Sequence, residues 1–150
     1  DPRWRDKFKP PLDYLHAQLA AQGRVGRDVL GYTGGAIPSG GMLEPVAMIG
    51  GAQVLLAGDA AGLTNPITGA GILAAVVSGE MAGDAAAALV SGSADAAGDY
   101  REDLTDMFQA SLARAVGRRE ALMRVHETTR APEPADLRRA WIAFPEYWAA

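Results

Sequence analysis

Residues 55–72, LLAGDAAGLTNPITGAGI, decide which kind of fold this chain can adopt. An apolar run ends at Gly58 and Asp59, a turn around Asn65 and Pro66 follows, and glycines then precede a second apolar segment. A short apolar run between turn residues is typical of a buried strand, and small residues after a turn are typical of a helix start. The order therefore predicts strand, turn and helix, with a carboxylate between them.

This order predicts a binding site. Asp59 lies where an open α/β sheet places ligand groups, just beyond the carboxyl end of a strand, and its carboxylate can accept hydrogen bonds from neighbouring hydroxyls. We expect Thr68 to cap the helix and residues 69–71 to form its first turn, whose N–H groups are unpaired and carry partial positive charge. The ligand predicted from the residues alone is polyhydroxylated and phosphorylated.

Besides the helix that belongs to the motif, the sequence predicts three further helical segments. The first covers residues 14–21, after Pro10-Pro11, and ends near Gly23. The motif helix should run over residues 69–90 and stop at Ser91-Gly92-Ser93. A long helix follows over residues 94–130, and one or two more turns over residues 136–143. The apolar face of the long helix comprises Leu104, Met107, Phe108, Leu112, Ala115, Val116, Leu122 and Met123.

Two segments are predicted strands. Residues 28–37, DVLGYTGGAI, are poor helix formers, and Gly34-Gly35 would mark a bulge or a close approach of the backbone. Residues 53–57, QVLLA, form a continuous apolar run that fits a central strand buried on both faces.

Composition excludes several classes of function. The 150-residue chain has a net charge of −4, which gives no support for a nucleic-acid partner. It contains no cysteine, so disulfides, thiolate zinc sites and cysteine nucleophiles are excluded, and we predict no metal site. The absence of cysteine fits a reducing cytoplasm.

The motif and its surroundings resemble the geranylgeranyl reductase family, a branch of the flavoprotein hydroxylase-like superfamily of the glutathione-reductase type. The resemblance rests on GDAAG at residues 58–62, NP at 65–66 and TGAGI at 68–72, with small residues continuing to Ala82. Upstream, GGAIPSGG at residues 34–41 resembles the family's Gly-Gly-x-Ile-Pro segment, which lies near the flavin. Together these motifs cover about residues 29–90.

The resemblance implies an α/β fold, the C-terminal portion of a glutathione-reductase-type FAD-binding fold, in which strand, GD motif and helix are followed by a mainly helical region. Residues 1–52 would end the substrate or cap side with a Gly-rich strand. Residues 53–92 would be the C-terminal strand and helix of the FAD-binding domain, and residues 93–150 a helical C-terminal region.

The resemblance also implies FAD as the cofactor. Asp59 would hold ribityl hydroxyls, Gly58 and Ala60 would let the backbone pass close to the cofactor, and residues 69–72 would offer N–H groups near the ring. Many family members have Glu where this chain has Ala70. The implied cofactor-binding residues are Gly58, Asp59, Ala60, Pro66, Gly69, Ala70, Gly71 and Ile72. No catalytic acid or base is implied.

One family motif is missing. The first FAD motif, Gly-x-Gly-x-x-Gly, is absent, because Gly23 and Gly26 lack a preceding strand and a third glycine. We therefore expect a C-terminal fragment of a longer FAD-dependent oxidoreductase that reduces C=C bonds of an isoprenoid, geranylgeranyl-type chain. The implied partners are a hydrophobic or lipid substrate and NAD(P)H or a ferredoxin-type electron donor. A cytoplasmic location is expected, with peripheral membrane contact left open.

Three alternatives stay open: another flavoprotein monooxygenase or dehydrogenase of the superfamily, a ribokinase-like sugar kinase, and a structural module. The kinase reading needs a base after the glycines, where this chain has Ile72. Outside the motif, the lone His16 and His126 are predicted to be structural. The arginines 114, 118, 119 and 124 are predicted to be a solvated helix face, with docking of an electron donor or a lipid head group as the alternative. Local packing, rather than a substrate pocket, is predicted for Trp141, Phe144, Tyr147 and Trp148.

Overall fold

The computed structural model describes residues 2–33, 35–128 and 132–149. It divides the chain into two compact units, residues 1–36 and residues 37–150. This division lies upstream of the boundary predicted between residues 52 and 53.

Within its described residues, the first unit contains one helix, α1 (Pro2–Ala21). Its end is as predicted, because Gly23 has φ of +69° and two backbone N–H groups after the helix turn back onto the carbonyls of its last turn. The predicted start after Pro10-Pro11 is wrong, since both prolines lie inside the helix. Each proline lacks an N–H donor, but its fixed φ near −65° is compatible with a helix.

The strand predicted over residues 28–37 is wrong for the described part of that segment, which pairs with no other strand. A strand needs a neighbour for its N–H and C=O groups and a surface to cover with its apolar side chains. Here the side chains of Val29, Leu30 and Tyr32 are exposed instead. The Tyr32 hydroxyl donates a hydrogen bond to Asp13 Oδ1 on α1, at 2.6 Å. Gly34, part of the predicted bulge, lies outside the described residues.

A hairpin begins the second unit. Strand β1 (Val46–Ile49) pairs antiparallel with β2 (Ala52–Leu55). Gly50 and Gly51 join the two strands, with φ of +57° and +82°. A common two-residue hairpin turn needs positive φ at both positions, which glycine adopts readily.

Strand β2 overlaps the strand predicted over residues 53–57, but it ends at Leu55. Burial on both faces is wrong, because Ala52 and Gln53 are exposed and only Val54 and Leu55 are half-buried. The physical reason is the size of the sheet: in the described part of the chain it has two strands, so β2 is an edge strand rather than a central one. The predicted order of strand, GD turn and helix is nevertheless present.

Helices make up most of the second unit. A 3₁₀ turn (Gly58–Ala61) leads towards α2 (Ile72–Val90). Then α3 (Ala96–Leu104), a π-helical turn (Thr105–Gln109) and α4 (Ala110–Glu127) follow one another without a break. The predicted stop after α2 and the predicted long helix are confirmed, but the π turn was not predicted. Residues 129–131, at the predicted end of the long helix, lie outside the described part. The chain continues with α5 (Pro134–Ala140) and α6 (Pro145–Trp148).

The core of this unit lies between the 3₁₀ turn, α2 and the α3–α4 segment. Its buried residues are Ala61, Leu63, Ala85, Tyr100, Leu104 and Leu112. The predicted apolar face is correct at the buried Leu104, Leu112 and Ala115. It is wrong at Met107 and Met123, whose side chains are exposed. The π turn changes the rotation per residue, so no single 3.6-residue period describes α3 and α4 together.

Helix α2 is apolar and largely exposed. An 18-residue window in it has a mean hydropathy of 1.5, so by length and composition alone it could cross a membrane; it is the one such helix in the described part of the chain. At its start, Ile72 is 85% exposed and Leu73 is 77% exposed.

Candidate functional site

An open cleft of about 560 Å³ lies beyond β2, between the 3₁₀ turn and the start of α2. Six of the eight predicted cofactor residues line it: Gly58, Asp59, Ala60, Gly69, Gly71 and Ile72. Pro66 and Ala70 belong to the same loop but do not line the cleft. The remaining lining residues are Ile37, Ala57, Thr64 and Ala75.

Gly58 lets the chain turn directly against α2. Its φ is +55°, and a Cβ atom there would lie 2.9 Å from Cβ of Ala75 and 3.2 Å from its Cα. The Gly58 N–H donates a hydrogen bond to Oγ of Ser78, at 2.9 Å. Any larger residue would therefore push the GD turn away from the helix.

The Asp59 carboxylate is held by one of its two oxygens. The hydroxyl of Thr64, a side chain only 2% exposed, donates a hydrogen bond to Oδ1. Within the described part of the chain, Oδ2 accepts no hydrogen bond. Gly71 closes this arrangement, because a Cβ atom there would lie 2.7 Å from Oγ1 of Thr64 and 3.1 Å from Oδ1 of Asp59. One carboxylate oxygen thus remains available at the cleft.

Asn65 holds the loop between the GD turn and α2. Its side-chain Oδ1 accepts hydrogen bonds from the N–H groups of Ile67 and Thr68, at 3.0 and 3.1 Å. Its own N–H donates to the carbonyl of Ala70, and its carbonyl accepts from Gly69, both at 2.9 Å. The two ends of the loop are therefore tied together by backbone bonds, with an Asx turn inside.

The predicted start of the motif helix is wrong. Helix α2 begins at Ile72, and Gly71 precedes it without a side-chain cap. Gly69 has φ of +71°, which a right-handed helix cannot contain, and the Thr68 hydroxyl accepts a hydrogen bond from Ala70 N–H rather than capping the helix. The first four N–H groups of a helix, counted from the residue that precedes it, have no acceptor within it. At the start of α2 these are the N–H groups of residues 71–74.

Two residues that support the site were not predicted. Ser78, which is fully buried, accepts from Gly58 and donates from Oγ to the carbonyl of Ala74, at 2.6 Å. The hydroxyl of Tyr100, on α3, donates to the carbonyl of Leu56, the residue just after β2, also at 2.6 Å. Burial raises the pKa of Tyr100. A polar residue within an apolar helix was the sequence signal for Ser78; no local signal points to Tyr100.

The other candidate residues of the second unit do not line the cleft. Arg118 donates from Nε to the carbonyl of Tyr147, at 3.1 Å, and the Arg114 guanidinium lies 5.4 Å from the ring centroid of Trp148. These contacts agree with the predicted local packing of the C-terminal aromatic residues. His16 Nε2 lies 3.0 Å from a backbone carbonyl in the first unit. No group of three or more His, Cys, Asp or Glu side chains in the described residues could hold a metal ion.

Taken together, the cleft combines a carboxylate oxygen that can accept hydrogen bonds with unpaired backbone N–H groups that can donate them. Glycines at positions 69 and 71 leave the backbone open to close contact. Such a site can bind a molecule that has hydroxyl groups at one end and an electron-rich group at the other.

The curated proteins that the chain resembles share one name. The chain is 33% identical over 112 residues to the digeranylgeranylglycerophospholipid reductase of Methanocella arvoryzae, a match that covers 75% of this chain and 26% of that protein. It is 42% identical over 81 residues to the reductase of the same name from Methanosarcina mazei, covering 53% of this chain and 19% of that protein. The chain is related to the geranylgeranyl reductase family. A match of 38% identity over 81 residues to the Methanosarcina acetivorans reductase agrees with this, so the predicted relationship to the family is confirmed.

The chain spans about a quarter, or less, of the length of the curated proteins that it matches. No family model matches the chain, and no solved structure matches it.

Proposed function

We propose that the chain supplies the flavin-side half of the cofactor site in an FAD-dependent reductase. The observation that carries the proposal is the Asp59 carboxylate, held at Oδ1 by Thr64 and open at Oδ2, beside the start of α2. FAD has a polyhydroxylated ribityl chain next to an electron-rich ring, so the two kinds of group in the cleft fit it.

Each residue has a role in this proposal. Asp59 would accept hydrogen bonds from ribityl hydroxyls, and the N–H groups at the start of α2 would donate to the ring side. The positive end of α2 would favour negative charge there. Gly58 and Ala60 would let the backbone approach, while Pro66 and residues 69–72 would shape the loop. FAD, when bound, supplies the hydride or electron transfer.

The substrate is proposed from the relatives. Their names specify a digeranylgeranyl phospholipid, so we propose reduction of C=C bonds in an isoprenoid lipid chain by electrons from NAD(P)H or a ferredoxin-type donor. The site for the ADP half of FAD would come from sequence beyond these 150 residues, in a fold of the glutathione-reductase type. We propose a cytoplasmic protein that contacts the membrane peripherally, which an exposed apolar α2 would favour.

The test is FAD binding by the purified chain, measured by quenching of flavin fluorescence. We expect weak binding, with little flavin absorbance retained after purification. Asp59→Ala should weaken binding at least about tenfold, because it removes the acceptor of a charge-assisted hydrogen bond. Asp103→Ala is the matched control, since Asp103 is exposed on α3 and does not line the cleft. Equal binding by the Asp59 variant and the unaltered chain would contradict the proposal.

Two further observations separate the alternatives. The reading frame upstream should encode a strand–Gly-x-Gly-x-x-Gly–helix unit, and its absence would count against a complete FAD site. The full-length protein should reduce the double bonds of an isoprenoid phospholipid when it is supplied with a chemical reductant. Flavin binding without this reaction would favour another flavoprotein of the superfamily.

A further inference from the structure

Thr64 is buried at the point where the GD turn meets the loop to α2. Its side chain is 2% exposed, and it lines the cleft. A buried hydroxyl without an acceptor has lost its hydrogen bonds to water and gained none, so the partner of this hydroxyl matters for the fold. That partner is Oδ1 of Asp59.

The same hydrogen bond restricts Asp59. The terminal torsion of an aspartate side chain is broad and roughly two-fold, so an exposed carboxylate samples several orientations. A donor that is itself buried selects one of them. Gly71 contributes by leaving space, because a Cβ atom there would lie 2.7 Å from Oγ1 of Thr64 and would force the hydroxyl away from the carboxylate.

We propose that Thr64 is a positioning residue, whose hydroxyl fixes the Asp59 carboxylate so that Oδ2 is the oxygen presented to the ligand. The identity of that ligand as FAD rests on the proposed function above. Because the carboxylate is already oriented before the ligand binds, less side-chain entropy is lost on binding. Removing the Thr64 hydroxyl should therefore lower the affinity for the ligand.

The first experiment needs no ligand. Melting temperatures are measured for Thr64→Val, Thr64→Ser and Asp59→Ala, and for the double variant. Thr64→Val should lower the melting temperature by about 3 °C, while Thr64→Ser, which keeps the hydroxyl, should change it by less than about 1 °C. In the Asp59→Ala background, Thr64→Val should cause no fall, or a rise, because the hydroxyl has already lost its acceptor. An equal fall in both backgrounds would overturn the proposal.

The second experiment measures FAD binding and the visible spectrum of the bound flavin. Thr64→Val should weaken binding about tenfold and alter the spectrum, and Thr64→Ser should restore both to within about threefold of the unaltered chain. A Thr64→Val protein that binds FAD as tightly as the unaltered chain would overturn the positioning role. If the unaltered chain binds no FAD, the proposed function fails, and the melting-temperature cycle decides whether Thr64 orients Asp59.

Discussion

Two glycine-rich segments of this chain look alike in sequence but differ in structure. In the cleft turn, residues 58–71, a Cβ atom at Gly58, Gly62 or Gly71 would meet other atoms at about 3 Å or less. In the upstream segment, residues 26–40, a Cβ atom at any of the described glycines would meet nothing within 4 Å; these are Gly26, Gly31, Gly35 and Gly40. A glycine pattern therefore indicates backbone freedom, but only packing shows where glycine is required.

The largest expected effect tests this difference directly. Gly62 has φ of +70°, and a Cβ atom there would clash with the carbonyl oxygen of Gly41. Gly62→Ala should lower the free energy of unfolding by about 3 kcal/mol or more, since backbone strain and a backbone clash add. Gly40→Ala should change it by less than about 1 kcal/mol, because no atom is near and φ is not positive. Urea denaturation measures both.

Gly69→Ala separates strain from packing within the cleft turn. Its φ, +71°, matches that of Gly62, but nothing lies within 4 Å of its Cβ position. We expect a loss of about 1–2 kcal/mol from the conformation alone. Equal losses for the variants at positions 62 and 69 would show that the close approach to Gly41 does not matter.

A further effect, smaller than that of Gly62→Ala, concerns the hydrogen bond beneath the GD turn. Ser78 and Ser91 each donate from Oγ to the carbonyl four residues earlier, but Ser78 is buried and also accepts from Gly58. Ser78→Ala should lower the free energy of unfolding by about 2 kcal/mol, because it leaves a buried N–H without an acceptor. Ser91→Ala, the exposed control, should cost less than about 0.5 kcal/mol. Similar losses in the two variants would remove Ser78 from the support of the cleft turn.

The smallest effect lies at the exposed Glu44, just beyond the upstream segment. A hydrogen bond from Arg101 Nε, at 2.6 Å, lowers the pKa of Glu44 from its ordinary value of 4.5. A depressed pKa in the folded state means that the pair contributes stability above about pH 4.5 and loses it as the pH falls through the folded pKa. Glu44→Gln should slightly flatten the dependence of stability on pH below about pH 4.5, as measured by thermal melts between pH 3 and 7. Identical profiles for Glu44→Gln and the unaltered chain would show that the pair contributes nothing measurable.

The parts of the fold that were predicted correctly have local causes. Helices α1 and α2 are each followed, two residues after their last residue, by a glycine with positive φ, Gly23 and Gly92. The order of strand, GD turn and helix also follows from residues close together in the chain. The incorrect predictions depend on contacts instead: residues 28–37 find no partner strand, and the π turn after Leu104 has no recognised signal in the sequence.

The sequence by itself determined the relationship to the geranylgeranyl reductases and most of the residues that line the cleft, because the motif brings them together within 18 residues. Only the tertiary structure decided how those residues are held. Tyr100 reaches Leu56 from 44 positions away, and Thr64 meets Asp59 only because Gly71 leaves room for the pair. Short-range patterns reflect local backbone preferences, whereas a buried hydrogen bond depends on which distant surfaces pack together.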